Sequence, residues 1–122
     1  MSIKKVSKTK DYENNRNHSK IRYRKGDMVI YDGRYTVHLR YSPWKYDAPY
    51  VVGKYDRLPH LKLNELAETN KTIVIHKNNH EEADAVCRML YANCNISDFI
   101  PPETYASVAR IYAWAYYYMG LL

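Results

Sequence analysis

Glycine and cysteine are scarce in this 122-residue chain, which contains four Gly and two Cys. So few glycines argue against a phosphate-binding loop built from backbone amides. Cys87 and Cys94 have no second cysteine pair, so they are neither a zinc ligand set nor a disulfide framework. The sequence also lacks a nucleophile elbow and a paired-carboxylate motif. We therefore expect no metal, no cofactor, no catalytic residue and no small-molecule substrate.

Phenylalanine is also scarce, since one Phe stands beside 14 Tyr and 2 Trp. Nearly every aromatic ring therefore carries a polar group that needs water or a hydrogen-bond partner. Such a composition favours half-buried positions and interfaces, because a core alone would use more Phe.

Negative charge is scarce at the start of the chain. Residues 1–25 hold nine Lys or Arg against two acidic residues, a net charge of +7, whereas residues 26–122 hold ten positive and eleven negative residues. Residues 1–22 lack apolar periodicity and are predicted to form a disordered basic arm. Residues 23–122 are predicted to form a single domain. The polar opening cannot serve as a secretory signal, so we expect a cytoplasmic protein.

A β-hairpin over residues 27–41 is the clearest structural signal, because Asp32-Gly33 is a favoured two-residue turn between flanks rich in β-formers. One face of the hairpin is predicted to enter the core, with Met28, Ile30, Tyr35, Val37 and Leu39. The other face is predicted to be solvent-exposed and basic, with Tyr31, Arg34, Thr36, His38 and Arg40. Because the pairing sets Arg40 opposite Lys25, the basic arm is expected to continue onto this face.

The remaining elements indicate an α+β fold with a small mixed or antiparallel sheet. Residues 50–55 suit a third strand at an edge, residues 63–69 a short helix, and residues 71–77 a central strand covered on both faces. Two C-terminal helices are predicted to cover one side of the sheet, the first capped by Asn79 and the second beginning at Pro102.

Each C-terminal helix has an apolar stripe. The first buries Ala83, Val86, Cys87, Leu90 and Cys94. The second runs to the chain end and is predicted to bury Tyr105, Val108, Tyr112, Ala115, Met119 and Leu122, widened by Ile111 and Tyr118. The opposite stripe holds a single charge, and its residues Arg110, Trp114, Tyr117 and Leu121 suit a protein interface. The uncharged run 111–122 is too short to span a membrane. Full burial of this helix and self-association into a homodimer remain open.

The charge pattern favours a binding protein without catalytic activity. We expect the arm and the basic face to engage DNA, RNA or a nucleoprotein complex. The candidate residues for this or another acidic partner are Lys20, Arg22, Tyr23, Arg24, Lys25, Arg34, His38, Arg40, Trp44 and Lys45. Trp44 either contacts a partner or folds back over the sheet. Asp27 beside His38 resembles an acid–base pair, but such surface pairs are usually incidental.

Two other functions stay open. A small phage or mobile-element inhibitor of a host defence nuclease, acting through protein–protein contact, fits the size and the aromatic content. An enzyme with a dispersed site is the third reading, because an unrecognised fold can hide one.

Overall fold

The structure, a computed structural model, describes residues 24–69 and 72–118. Its centre is a mixed four-stranded sheet in the order β3-β2-β1-β4, in which β1 pairs antiparallel with β2 and parallel with β4, and β2 pairs antiparallel with β3. The strands are β1 Met28–Tyr31, β2 Tyr35–Arg40, β3 Tyr50–Asp56 and β4 Ile73–Ile75. The helices are α1 His60–Thr69, α2 Ala83–Asn93 and α3 Tyr105–Tyr118, the last preceded by a 3-10 turn, Pro102–Thr104. The α+β class is confirmed, while the predicted arm, residues 1–22, lies outside the described residues.

The hairpin turn lies one residue further along the chain than predicted. Gly33 and Arg34 form it, since Asp32 N donates to Tyr35 O at 3.1 Å. The Asp32 carboxylate accepts from the backbone N of Arg34 at 2.9 Å and of Tyr35 at 2.6 Å, which fixes Asp32 as the first residue of the turn. Gly33 supplies the left-handed φ of 101°. The predicted register is wrong by two residues, a shift that leaves every side chain on its predicted face.

The apolar face of the hairpin packs as predicted against the two C-terminal helices. One core cluster joins Met28, Ile30, Val37 and Leu39 of the sheet to residues from both helices. The helix residues in this cluster include Val86, Cys87, Leu90, Cys94, Val108, Ile111 and Ala115. Their burial confirms the stripe predicted for α2 and the central part of the stripe predicted for α3.

The second face of the sheet is buried too, so the predicted solvent-exposed and basic face is wrong. Val29, Tyr31 and Tyr55 form a second cluster there with Leu58 and with Leu63 of α1. Thr36, His38 and Arg40 are also buried. The sequence pattern missed this because α1 and the segment before it cover a face that carries polar side chains.

The two outer strands of the sheet differ in how well they were predicted. β3 lies at one edge, as predicted, and an isolated bridge between Tyr50 and Phe99 lies beside its start. β4 lies at the other edge, so the prediction of a central strand is wrong. Its apolar run reflects burial on both faces, since Ile73 and Ile75 enter the first cluster and Val74 packs against the second.

The two C-terminal helices depart from prediction at their ends. α2 begins at Ala83, and the residue before it, Glu82, makes no side-chain capping bond, so the predicted cap at Asn79 is wrong. Tyr105 and Tyr118 are exposed, because only one side of α3 packs against α2 and the sheet. Met119 and Leu122 lie outside the described residues. Among residues 24–69 and 72–118, no helix is long and apolar enough to cross a membrane.

Gly53 in β3 provides a test of the packing on the second face. A Cβ added to Gly53 would lie 2.5 Å from the phenol oxygen of Tyr55, and Tyr55 is only 1% exposed. We expect Gly53→Ala to lower the free energy of unfolding by about 1–3 kcal/mol, measured by urea denaturation. As a control, the same Gly53→Ala substitution is made in a Tyr55→Phe variant, which lacks the phenol oxygen. An Ala substitution that costs the same in both backgrounds would contradict the steric explanation.

Candidate functional site

A buried ionic centre lies at the start of β1, where Asp27 is 3% exposed. Its Oδ1 accepts from Arg40 Nε at 3.0 Å, and its Oδ2 accepts from Arg40 Nη2 at 2.8 Å. His38 Nε2 lies 2.7 Å from the same Oδ2. His38 and Arg40 come from β2, next to β1, and the strand alternation points both side chains to the second face. The centre therefore joins the first two strands beneath the surface.

This centre is a structural group. Burial alone would raise the pKa of Asp27, but the hydrogen bonds and charges of His38 and Arg40 outweigh it and lower that pKa. The carboxylate is thus held as an anion. A general base must reach a substrate, and His38 is fully buried. His38 and Arg40 are therefore not part of an exposed binding surface, which corrects their predicted placement.

The two cysteines are poor nucleophiles, as the sequence suggests. Burial raises the pKa of Cys87 to about 12 and the pKa of Cys94 to about 11. The Cys87 thiol donates to Ile30 O at 3.3 Å. Because the thiolate is the reactive form, neither side chain is suited to covalent catalysis.

The loop between β2 and β3 presents an exposed tryptophan. Trp44 is 84% exposed, so it does not fold back over the sheet. The backbone N of Lys45 and of Tyr46 each donate to Ser42 O at 2.9 Å, which forms a tight turn around Trp44. The Tyr46 ring packs edge-on against Phe99 with centroids 5.3 Å apart, and it anchors the loop. Trp44 is therefore held outward by a defined turn.

Basic residues lie at the same end of the sheet as this loop, because β1 begins beside the end of β2. Lys45 Nζ lies 5.3 Å from the ring centroid of Tyr46. Arg24 and Lys25 are exposed just before β1. Burial raises the pKa of Tyr50, whereas the charge and hydrogen bond of Arg40 and the weaker influence of the Arg24 charge act in the opposite direction. We call this surface the Trp44 end, and it consists of Arg24, Lys25, Trp44 and Lys45.

Other predicted binding residues do not extend the Trp44 end. Arg34 lies in the hairpin turn, at the far end of β1, where its Nε donates to Asp56 Oδ1 at 3.0 Å. Lys20, Arg22 and Tyr23 lie outside the described residues. The continuous basic track predicted from the arm through Arg34 and Arg40 is therefore not present in the described part of the chain.

A second exposed aromatic surface lies on α3. Trp114 packs edge-on against His80 with centroids 5.8 Å apart and lies 5.3 Å from the ring of Tyr118. Tyr117 and Tyr118 are 74% and 68% exposed. We call Arg110, Trp114, Tyr117 and Tyr118 the α3 surface. The predicted Leu121 lies outside the described residues, whereas Tyr118 was assigned to the core although it is four positions from Trp114, on the same face.

An ion pair fixes one border of the α3 surface. Arg110 Nε and Nη2 donate to the two Glu82 carboxylate oxygens, both at 2.7 Å. The hydrogen bonds from Arg110 lower the pKa of Glu82 to about 2. The pair joins the start of α2 to the middle of α3. Sequence reasoning missed it, because Glu82 and Arg110 are 28 positions apart.

The family model described as the FlhB HrpN YscU SpaS Family matches residues 1–115 of this chain. The flagellar biosynthetic protein FlhB of Escherichia coli K12 is 32% identical over 93 residues, which are 75% of this chain and 23% of that protein. FlhB of Bacillus subtilis 168 is 31% identical over 94 residues, 75% of this chain and 24% of that protein. The chain thus spans about a quarter of the length of these curated relatives.

Solved structures share the fold. The crystal structure of the cytoplasmic domain of FlhB from Shewanella putrefaciens superposes with a TM-score of 0.62 and 21% identity, covering 75% of this chain and 69% of that one. A mutated EscU C-terminal domain superposes with a TM-score of 0.60 and 21% identity, covering 73% of this chain and 77% of that one. Both support the α+β architecture.

These relatives overturn the predicted function. The chain matches flagellar biosynthetic proteins and the model of the family that contains them. The predicted functions of nucleic-acid binding and of phage-encoded inhibition are therefore wrong. The expected partners DNA, RNA and a nucleoprotein complex are wrong for the same reason, while a second copy bound through the terminal helix stays a prediction. A charged, aromatic-rich surface suits a protein partner as well as a polyanion, and composition does not distinguish the two.

Proposed function

Because this chain belongs to the FlhB HrpN YscU SpaS family, we propose that it is the cytoplasmic, protein-binding domain of a component of a bacterial flagellar or type III export apparatus. The family match over residues 1–115 carries this proposal. The fold it shares with a domain described as cytoplasmic supports the location. Since the matched part of this chain covers only 23–24% of the curated relatives, the chain corresponds to one part of such a component.

The proposed mode of action is binding, without an enzymatic step on a substrate. The Asp27–His38 pair is buried, and both cysteines have raised pKa values. The exposed large side chains among the described residues include the aromatic rings of Trp44, Tyr105, Tyr117 and Tyr118. Trp, Tyr and Arg are the residue types that concentrate binding energy at protein interfaces.

The Trp44 end is the proposed primary contact, and its proposed partner is an acidic segment of another export protein. Trp44 offers a large apolar ring held outward, and the exposed basic residues Arg24, Lys25 and Lys45 lie at the same end of the sheet. Charge complementarity of this kind raises association rates and rejects basic partners. The α3 surface is the proposed second contact, because the rings of Tyr117 and Tyr118 are exposed beside the half-buried Trp114.

Site-specific photocrosslinking in cells of the native host tests this function. A benzoylphenylalanine in place of Trp44 should crosslink to other proteins of the export apparatus, and Lys45→Glu in the same chain should reduce the yield several-fold because it reverses a charge beside the probe. The matched control is the same probe at Leu61, an apolar side chain that is 81% exposed on α1.

The outcome that contradicts the proposal is equally specific. Equal crosslinking from positions 44 and 61 would show that Trp44 is not a contact site. Unchanged export of flagellar or secreted proteins after deletion of the gene would contradict the export function itself. A probe at Tyr117 tests the α3 surface separately, since this side chain belongs to a different element.

A further inference from the structure

The outer edge of β4 has no neighbouring strand among the described residues. β4 pairs with β1 on one side, where Ile73 N donates to Asp27 O at 2.8 Å. Because backbone groups alternate in direction along a strand, those of Val74 and His76 face away from β1. Exposed edges of this kind recruit further strands and lead to self-association unless the fold blocks them.

The side chain of Asn79 occupies this edge. Its Nδ2 donates to Val74 O at 3.0 Å, and its Oδ1 accepts from His76 N at 2.9 Å. One residue of a parallel neighbouring strand makes the same two bonds, with its N–H to one residue and its C=O to the residue two positions on. The Asn79 amide therefore takes the place of a peptide group in a missing fifth strand.

The position of the Asn79 amide is fixed by the turn after β4. Asn79 N donates to His76 O at 3.0 Å, and His80 N donates to the same oxygen at 2.9 Å. The opposite edge of the sheet is closed by backbone instead, since Val51 N donates to Asp98 O at 2.9 Å and Ser97 N donates to Val51 O at 2.7 Å. Both edges are thus occupied over part of their length by non-strand groups.

We propose that Asn79 is an edge guard, which prevents a second copy of this chain from pairing with β4. The occupant excluded is a second copy because β4 reads Ile-Val-Ile, an uncharged β-branched strand, and an unprotected edge of this kind is a template for pairing with another chain. Asn79 satisfies Val74 O and His76 N within the chain, so a partner strand gains no bond there.

The test compares Asn79→Ala with Asn78→Ala, the neighbouring exposed residue. Amide hydrogen exchange is followed by NMR at low concentration, and molar mass is followed by sedimentation across concentrations. We expect the His76 amide of Asn79→Ala to exchange at least about tenfold faster, since its acceptor is lost, and we expect a concentration-dependent dimer. Asn78→Ala should match the unchanged protein in both readouts.

Either readout can overturn the guard. Unchanged His76 exchange, a monomer at all concentrations, or a dimer formed equally by Asn78→Ala would each do so. If Asn79→Ala does not fold, Asn79→Ser replaces it, because serine is uncharged and its single hydroxyl cannot make both the bond to Val74 O and the bond to His76 N. This variant should also dimerise, and a strictly monomeric Asn79→Ser would overturn the proposal.

Discussion

Replacing Asp27 with Asn is expected to lower the free energy of unfolding by about 3–5 kcal/mol, because it leaves the buried Arg40 guanidinium without its counter-charge. Asp27 accepts two bonds from Arg40 and lies 2.7 Å from His38, and all three side chains are buried. Asn keeps the size of Asp, so the loss reports on charge and hydrogen bonding. Urea denaturation at pH 7 measures the effect.

The matched control is Asp56→Asn. Asp56 pairs with Arg34 at 3.0 Å, but both side chains are about half exposed. Water and salt screen such a pair, so we expect no clear change in the unfolding midpoint. Equal losses for the buried and the exposed aspartate would contradict the importance we assign to the buried centre.

The same centre predicts how stability depends on pH. The pKa of Asp27 is lower in the folded state than in the unfolded chain, where it is about 3.9. The ionised Asp27 therefore contributes its full stabilisation above about pH 4, and the contribution is lost as the pH falls through the folded pKa. The difference in stability between the unchanged protein and Asp27→Asn should be constant near neutral pH and should shrink below about pH 4.

Ile111→Ala is expected to lower the free energy of unfolding by about 2–5 kcal/mol. Ile111 is fully buried in the cluster that joins α3 to the sheet and α2. Removal of its side chain opens a cavity between closely packed elements. Thermal or urea unfolding measures the loss.

Tyr117→Ala is the control on the same helix. Tyr117 is 74% exposed, so its removal should change stability by no more than about 0.5 kcal/mol. It should still reduce crosslinking from a benzoylphenylalanine placed at Tyr118, which is 68% exposed, because Tyr117 belongs to the proposed contact. A large loss of stability in Tyr117→Ala would show that this face of α3 is packed and is not available for binding.

Three predictions that came from local patterns were confirmed. The hairpin, the strand over residues 50–55 and the α2 stripe all depend on turn chemistry or on side-chain periodicity. The hairpin faces were right although the register was wrong, because a shift of two residues preserves the alternation. The position of the turn was predicted wrongly because the Asp32 carboxylate fixes it by accepting from the backbone N of Arg34 and of Tyr35. A rule that recognises a turn from two residue types does not include such side-chain bonds.

Other predictions failed because they depended on distant parts of the chain. His38 and Arg40 are buried where they bond Asp27, which lies 11 and 13 positions away, and the order of strands in the sheet decided that β4 lies at an edge. The function inferred from charge failed as well, since Lys, Arg and aromatic residues serve protein partners and nucleic acids alike.

By itself, the sequence determined the α+β class, the hairpin, the inner stripe of α2 and the uneven charge, because each follows from neighbouring residues. Only the tertiary structure decided that Asp27, His38 and Arg40 meet in a buried centre, that Trp44 points outward, and that the Asn79 amide closes the β4 edge. These arrangements depend on which elements pack together. Burial changes the energy of a charge or of an unpaired backbone group far more than local sequence does.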